Sequence, residues 1–362
     1  MKTIHLVYPH GLQISTPYAI GRNLGRRLEQ HYQVIYYNLE SPVTIQPGPD
    51  DILVGHAMPS PFTCFRRNLK QPGWQRVILI TPYSHGDPRY NAFIDPFLHD
   101  CDLYLAITGN YWFRSVQDSI YAHWLPKMVH LDLAIDRQDF PAIKERFNPP
   151  GQRSFVYIGV NKPYKNLGYL NQIAMRLPLI RFHWIGAGQA FSNLKPLGVR
   201  DFARLEARKQ IQGYDFLITV GNSDPNPTTI LEAMSWGLIP VCSEQSGYTG
   251  YPGIINLPLD NLGEAVKIVR SLQDNPESQL LEKQFANWQA LDKHFHWDRF
   301  ADQVIEAIES DASPKIKPIP VRRKLYLRWL DLISPYATWR RPRHLSRVLL
   351  QKLRSTTNHE PV

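Results

Sequence analysis

Two doubly wound α/β domains in tandem, facing one another across a cleft, are what this sequence predicts. Three observations carry that expectation. Short apolar runs alternate with helical patterns through residue 141, a polar stretch holding Pro149-Pro150-Gly151 interrupts them, and the alternation restarts and continues to residue 311. Strands alternating with helices mean right-handed βαβ units around a parallel sheet. A chain of 362 residues also has the length of two ordinary domains.

The elements follow in order. Ile4–Tyr8 is the first strand, a loop with Gly11 follows, and a helix covers about Tyr18–Gln30. Val34–Tyr37, Ile52–Gly55, Val77–Ile80 and Leu103–Ile107 continue the strand series, with helical stretches between them. Residues 142–154, AIKERFNPPGQRS, are the interdomain linker. The second unit, 155–311, gives strands at Phe155–Gly159, Phe182–Gly186, Phe216–Val220, Ile239–Cys242 and Ile254–Leu257. Its helices are expected at Asn166–Met175, Phe202–Ile211, Thr229–Trp236, Leu262–Leu272, Ser278–Leu291 and Trp297–Ile308. Ligands of such sheets bind at the carboxyl ends of the strands, so the chemistry belongs in the cleft.

Composition removes several classes. With 43% hydrophobic and 20% charged residues the chain can pack ordinary cores, which excludes a disordered protein. Its 30 prolines are scattered and punctuate turns. Cys64, Cys101 and Cys242 lie far apart without a C-x-x-C pair, the pattern of reduced thiols in an intracellular protein. No apolar run approaches the roughly 18 residues of a membrane span. The first eight residues, MKTIHLVY, are a strand pattern and not a signal peptide, so the cytosol is the expected compartment. The net charge of +9 is local: residues 312–362 hold 12 Lys+Arg against 2 acidic residues, a surplus of +10, and the rest sums to −1. No nucleic-acid-binding module accompanies that charge, and no nucleic-acid partner is expected.

The most informative stretch is GNSDPNPTTILEAMSWGLIPV, residues 221–241. A buried strand enters a polar loop that feeds a helix headed by Thr228 and Thr229. The free N–H groups and positive dipole end of such a helix suit phosphate. Glu232 is expected ionised in the first helical turn, where it accepts hydrogen bonds from sugar hydroxyls. The same residues also spell a capping box, Thr229-Ile-Leu-Glu232, in which Glu232 satisfies a backbone N–H. Both roles stand open on the sequence.

Asp224, seven intervening residues, Glu232-Ala233-Met234, Gly237 and Pro240-Val241 resemble the E-x7-E region of the retaining nucleotide-sugar glycosyltransferases of family 4, two-domain enzymes of the GT-B fold. The resemblance implies that Glu232 holds the donor ribose and that Asp224, in place of the family's first Glu, contacts the donor sugar. Pro225 and Pro227 lack N–H groups in this loop, whereas Asn226, Thr228 and Thr229 keep theirs for the donor. Gly159 with Lys165 is similar to the family's G-R-x4-K motif, whose basic residues clamp the pyrophosphate; Val160 takes the Arg position. Pro9–Tyr18 with Gly11 resembles the first glycine loop, which approaches the donor phosphates. Phe295-His296-Trp297 opens a helix like the family's last, which crosses back onto the first domain.

Two histidines follow strands. His85 lies at about the position where the family keeps a histidine beside the reacting sugar, so it is the expected catalytic partner of Asp224, and His56 is weighed behind it. Asp100-Cys101-Asp102 precedes a strand, at the end away from the cleft, and no essential metal is expected. Gly186-Ala187-Gly188 is taken as a tight turn.

Residues 312–362 carry two amphipathic patterns. Leu325, Trp329, Leu332 and Ile333 share one helical face, with Arg323, Lys324 and Arg328 opposite. In 342–354, Leu345, Val348, Leu349 and Leu353 oppose Arg343, Arg347 and Arg354. Two alternatives fit: interfacial helices on anionic lipid, or helices docked on the protein by their apolar faces.

The expected protein is thus a cytoplasmic, hexosyltransferase-type enzyme. It takes sugar from a nucleotide-diphosphate-sugar co-substrate, with retention, and passes it to a carbohydrate or glycolipid acceptor, with polysaccharide or glycolipid synthesis as the setting. An anionic membrane surface is the further partner considered for 312–362. A catalytically inactive GT-B scaffold and a sugar-nucleotide epimerase of the same fold are the alternatives.

Overall fold

The computed structural model describes residues 2–11, 15–60, 62–189 and 191–334. The pattern Pro342–Arg354 lies outside the described residues, as do residues 12–14 of the loop after Gly11.

The first sheet is assembled from β1 (Thr3–Val7), α1 (Thr16–Leu28), β2 (Gln33–Tyr36), β3 (Asp51–Gly55), α2 (Cys64–Asn68), β4 (Arg76–Pro82), β5 (Leu103–Ile107), α3 (Gly109–Ser115) and β6 (Met128–Leu131). The second follows with β7 (Ser154–Ile158), α4 (Leu167–Met175), β8 (Arg181–Ile185), β9 (Lys195–Gly198), α5 (Leu205–Gln212), β10 (Phe216–Thr219), α6 (Thr228–Trp236), β11 (Ile239–Ser243) and β12 (Ile255–Leu257). Helices α7 (Leu262–Ser271), α8 (Glu277–His294), α9 (Trp297–Glu309) and α10 (Val321–Ile333) complete the chain.

Every strand pair is parallel, in the orders β2-β1-β3-β4-β5-β6 and β12-β11-β10-β7-β8-β9. Each order reverses once, between β1 and β3 in the first sheet and between β7 and β10 in the second. Strand side chains alternate between faces, and both faces of the central strands are covered, so those strands are mostly apolar. Leu53, Leu79 and Tyr104 enter one core of the first sheet; Ile52, Ile78 and Leu105 enter the other.

Strands β6 and β9 are additions to the sequence expectation. Both are edge strands of four residues, and β9, KPLG, holds a proline that central strands exclude.

Helix α9 lies on the first sheet. Its Trp297, Phe300, Val304 and Ile308 share a core with Ile20, Leu24 and Leu28 of α1, and a large side chain buried this way contributes about 1.5–3 kcal/mol. The 155–311 unit drawn from the sequence therefore gives its last helix to the other half of the molecule. The segment 312–334 is no separate tail either. Arg76 holds the carbonyls of Ser310 and Ala312, Ser313 Oγ donates to Asp102 at 2.6 Å, and Leu327 and Leu330 of α10 complete the core around Tyr83 and Trp124.

The two halves touch directly. Ser84 Oγ and Ser223 Oγ are 2.5 Å apart, and Trp112 Nε1 donates to the carbonyl of Gln245 at 2.8 Å. At Gly109, φ is +69° and a Cβ would stand 2.6 Å from the Gly247 backbone, so only glycine fits this crossing.

Candidate active site

A cavity of about 450 Å³ lies in the cleft between the halves. Its walls come from the two points where strand order reverses, the places where open α/β sheets bind ligands. From the first sheet, Tyr8 follows β1 and His56 follows β3. From the second, Tyr164 and Lys165 follow β7, and the loop Ser223–Thr229 follows β10.

Lys165 and Asp224 meet here. Lys165 ends a short 3-10 turn, and the next residue, Asn166, takes a left-handed φ of 54° to open α4. Lys165 Nζ donates to Asp224 Oδ2 at 2.5 Å. Burial pushes the Asp224 carboxyl above its ordinary range, and the Lys165 ammonium opposes that rise. Thr228 and Thr229 open α6 into the same cavity, and no side chain caps that helix head. A cation beside an uncapped helix start is an anion-binding arrangement.

Several site expectations change. His85 is absent from the cavity wall; its Nδ1 lies 3.2 Å from the Tyr83 hydroxyl and its ring packs edge-on against Trp112. The chain turns at Ser84, whose hydroxyl reaches Ser223, and this carries His85 behind the wall. His56 lines the cavity instead. Its Nδ1 lies 3.4 Å from the Ile80 carbonyl, and burial pushes its pKa down to about 4, so the imidazole is neutral near pH 7.

Asn226 lines the cavity, but its groups are committed. Its N–H donates to the Ser246 carbonyl at 3.0 Å, and its side chain bridges to the Leu133 N–H (2.7 Å) and Asp132 Oδ1 (3.1 Å). It ties the halves together, and its backbone N–H, expected to meet the donor, is already taken by Ser246. Gly159 and Gly11 also stand outside the wall. Gly159 packs strand ends: its carbonyl accepts from Trp184 Nε1 at 2.8 Å, and a Cβ on Gly186 would stand 1.9 Å from that oxygen. Thr16 and Pro17, at the head of α1, line the wall near the position expected for Gly11.

Glu232 is the fifth residue of α6, one residue deeper than in the helix expected from Thr229, because Pro227 takes the cap position with no side-chain bond. The capping box does not form. Burial pushes the Glu232 carboxyl up to about 7 against the opposing hydrogen bond from Thr228, so it is half-protonated near neutrality and not fully ionised. An acid whose pKa rises from 4.5 unfolded to about 7 folded contributes stability that is complete below pH 4.5 and lost as pH rises through 7. Gln mimics the protonated form at every pH. Glu232→Gln should therefore raise the melting temperature at about pH 8.5 and leave it nearly unchanged at about pH 5. Thermal melts of both proteins across that range check this; an equal shift at both pH values would show that the carboxyl does not titrate in the fold.

Asp100 and Asp102 serve structure, as expected. Asp102 Oδ2 accepts from the Val77 N–H at 2.8 Å, and Asp100 pairs with Lys70 at 3.3 Å.

No family model and no curated protein matches the sequence. The fold has many solved counterparts. Sucrose-phosphate synthase from Thermosynechococcus elongatus superposes with a TM-score of 0.63 at 12% identity, over 85% of this chain and 98% of that one. An alpha-glucosyltransferase solved with UDP-glucose and DNA containing an abasic site gives 0.59 at 12% identity, over 85% and 99%. The fold is GT-B. TarM, known from S. aureus, gives 0.57 at 10% identity over 73% of this chain, which spans only 55% of TarM's length. In GT-B terms the cavity lies between the two Rossmann-like sheets, with Lys165, Asp224 and the α6 head on the second.

Proposed function

We propose that this chain is a hexosyltransferase that moves a sugar from a nucleotide-diphosphate sugar to a carbohydrate or glycolipid acceptor. One observation supports it above the rest: Lys165, Asp224 and the head of α6 converge in a cavity whose other wall belongs to the first sheet. Solved counterparts hold UDP, with DNA or a glycerol glycoside beside it, which makes UDP-sugars the first donors to test.

The chemistry follows from the charges. The donor pyrophosphate carries negative charge that grows on the leaving phosphate as the glycosidic bond breaks. Lys165 and the N–H groups of Thr228 and Thr229 stabilise that charge. An arriving phosphate competes with Asp224 for Lys165, which frees the Asp224 carboxylate to accept hydrogen bonds from the donor sugar. We assign retention of configuration with no protein nucleophile named. Glu232 does not line the cavity, so the ribose role that the resemblance implies for it is not part of this scheme. No metal takes part. The setting is the cytoplasm, for which the three buried free thiols speak, with peripheral contact to the inner face of the cell membrane through 312–362.

A donor panel tests the function. UDP- and GDP-sugars are offered without acceptor, and free nucleotide is measured. Slow release from one of them, abolished in Asp224→Asn, is expected. Nucleotide binding without turnover would favour an inactive scaffold, a reading that Pro225, Pro227 and Val160 lend some weight. An epimerised sugar nucleotide would mark the third reading.

A further inference from the structure

Helix α10 faces the wrong way for a surface helix. It docks through a narrow pair, Leu327 and Leu330, both buried, and Arg323 donates to the Ser119 carbonyl at 2.8 Å. The broad apolar face is turned outward: Val321 is 73% exposed, Leu325 58%, Trp329 51% and Leu332 60%. A helix that merely covers a core hides its wide apolar stripe and shows the polar one. Here Leu325, Trp329, Leu332 and Ile333, the stripe expected either to dock or to meet lipid, are all left in solvent. Contiguous exposed apolar surface of this kind marks an interaction site.

Charge selects the occupant. Arg322, Lys324 and Arg328 are exposed around that stripe, and residues 312–362 carry the surplus of +10. Trp329 stacks against Tyr326 at 5.8 Å between ring centres, an amphipathic aromatic pair suited to the headgroup level. No helix among the described residues is long and apolar enough to cross a membrane, so any lipid contact through them lies at the surface.

We propose that the outward face of α10 docks on an anionic lipid bilayer. Its place in the fold gives the contact a purpose. Helix α10 packs against the turn Pro88–Tyr90, and Tyr90 lines the cavity. Docking this face brings the first-sheet rim of the cleft against the membrane, where an amphiphilic acceptor presents its headgroup. That purpose rests on the glycosyl-transfer reading; the surface itself does not.

The test uses the full chain and vesicles of phosphatidylcholine, with or without about 30% phosphatidylglycerol. The variant Leu325→Ser/Trp329→Ser/Leu332→Ser removes the face, and its melting curve should match the parent's because all three side chains point to solvent. The parent should co-sediment with anionic vesicles, several-fold less with neutral ones, and less again at about 0.5 M salt. The variant should lose about tenfold or more in partitioning. A parent that ignores anionic vesicles overturns the proposal. So does a variant that binds like the parent, since residues 335–362 would then suffice by charge. A parent that dimerises through this face without binding vesicles assigns it to a second copy and overturns the proposal too. Donor hydrolysis is measured on both proteins without vesicles. Vesicle binding without hydrolysis keeps the surface and defeats the transferase; hydrolysis without vesicle binding does the reverse.

Discussion

Lys165→Ala is expected to lower kcat/KM by about 10²-fold or more, roughly 2.7 kcal/mol at 1.36 kcal/mol per decade. Val160 stands where the family resemblance has an arginine and is largely exposed, so Lys165 is the cation that sits at the head of α6. Removing it also leaves Asp224 buried with no counter-charge, and the already raised carboxyl takes up a proton more easily. Two defects then arise from one substitution: a lost phosphate contact and a neutralised sugar contact. Lys165→Arg should restore part of the rate, because a guanidinium reaches both an oxyanion and a carboxylate. The exposed Lys162 provides the contrast. Steady-state kinetics on Lys165→Ala, Lys165→Arg and Lys162→Ala decide the matter. A crippled Lys162→Ala beside an unaffected Lys165→Ala would move the phosphate site to the other lysine.

The largest loss of stability is expected at Asp215. This carboxylate is fully buried where the linker enters the second sheet, and it accepts from the N–H groups of Asn148 (2.8 Å) and Ser154 (2.9 Å). Lys144 Nζ lies 3.0 Å away and Arg153 Nη1 3.9 Å, both buried. Burial lowers the Lys144 pKa, with Asp215 opposing. Asp215→Ala strands two cations and two backbone donors in the interior, at a cost of about 3–5 kcal/mol. The thermal midpoint should fall by about 10 °C. Lys144→Met in the Asp215→Ala background should recover part of it. An unchanged midpoint in the single variant would mean that water reaches the cluster.

Much of the fold was legible because parallel strands buried on both faces are apolar runs, and ten such runs stand out between helical stretches. The two strands that escaped, β6 and β9, lie at sheet edges, where burial is partial and the pattern dissolves into MVHL and KPLG. The site was harder. Lys165 and Asp224 were both visible, but their contact joins residues 59 apart on two different strand ends. Of the two histidines, His56 lines the cavity and His85 packs against Tyr83 and Trp112, a difference that the sequence pattern does not carry. The Glu232 expectation failed on helix phase: Pro227 in the cap position moved the carboxylate to the fifth position of α6. In α10 the period was right, and of the two alternatives left open for the stripe the structure does not show docking: Leu327 and Leu330 are buried instead. Periodicity shows which side chains share a face, but the protein bonded the narrower one.

The placement of α9 sets an order of events during synthesis. Residues through β6 leave the ribosome first, and they form a six-stranded sheet with α1 on one face. The rest of that face waits for Trp297, Phe300 and Val304, all encoded beyond the entire second sheet. At about 5–20 residues per second the wait lasts on the order of ten seconds or more. During that time an apolar surface stands open beside a growing chain. The second sheet faces no such wait, since α7 and α8 follow it directly. The half of the molecule made first is thus the half finished last.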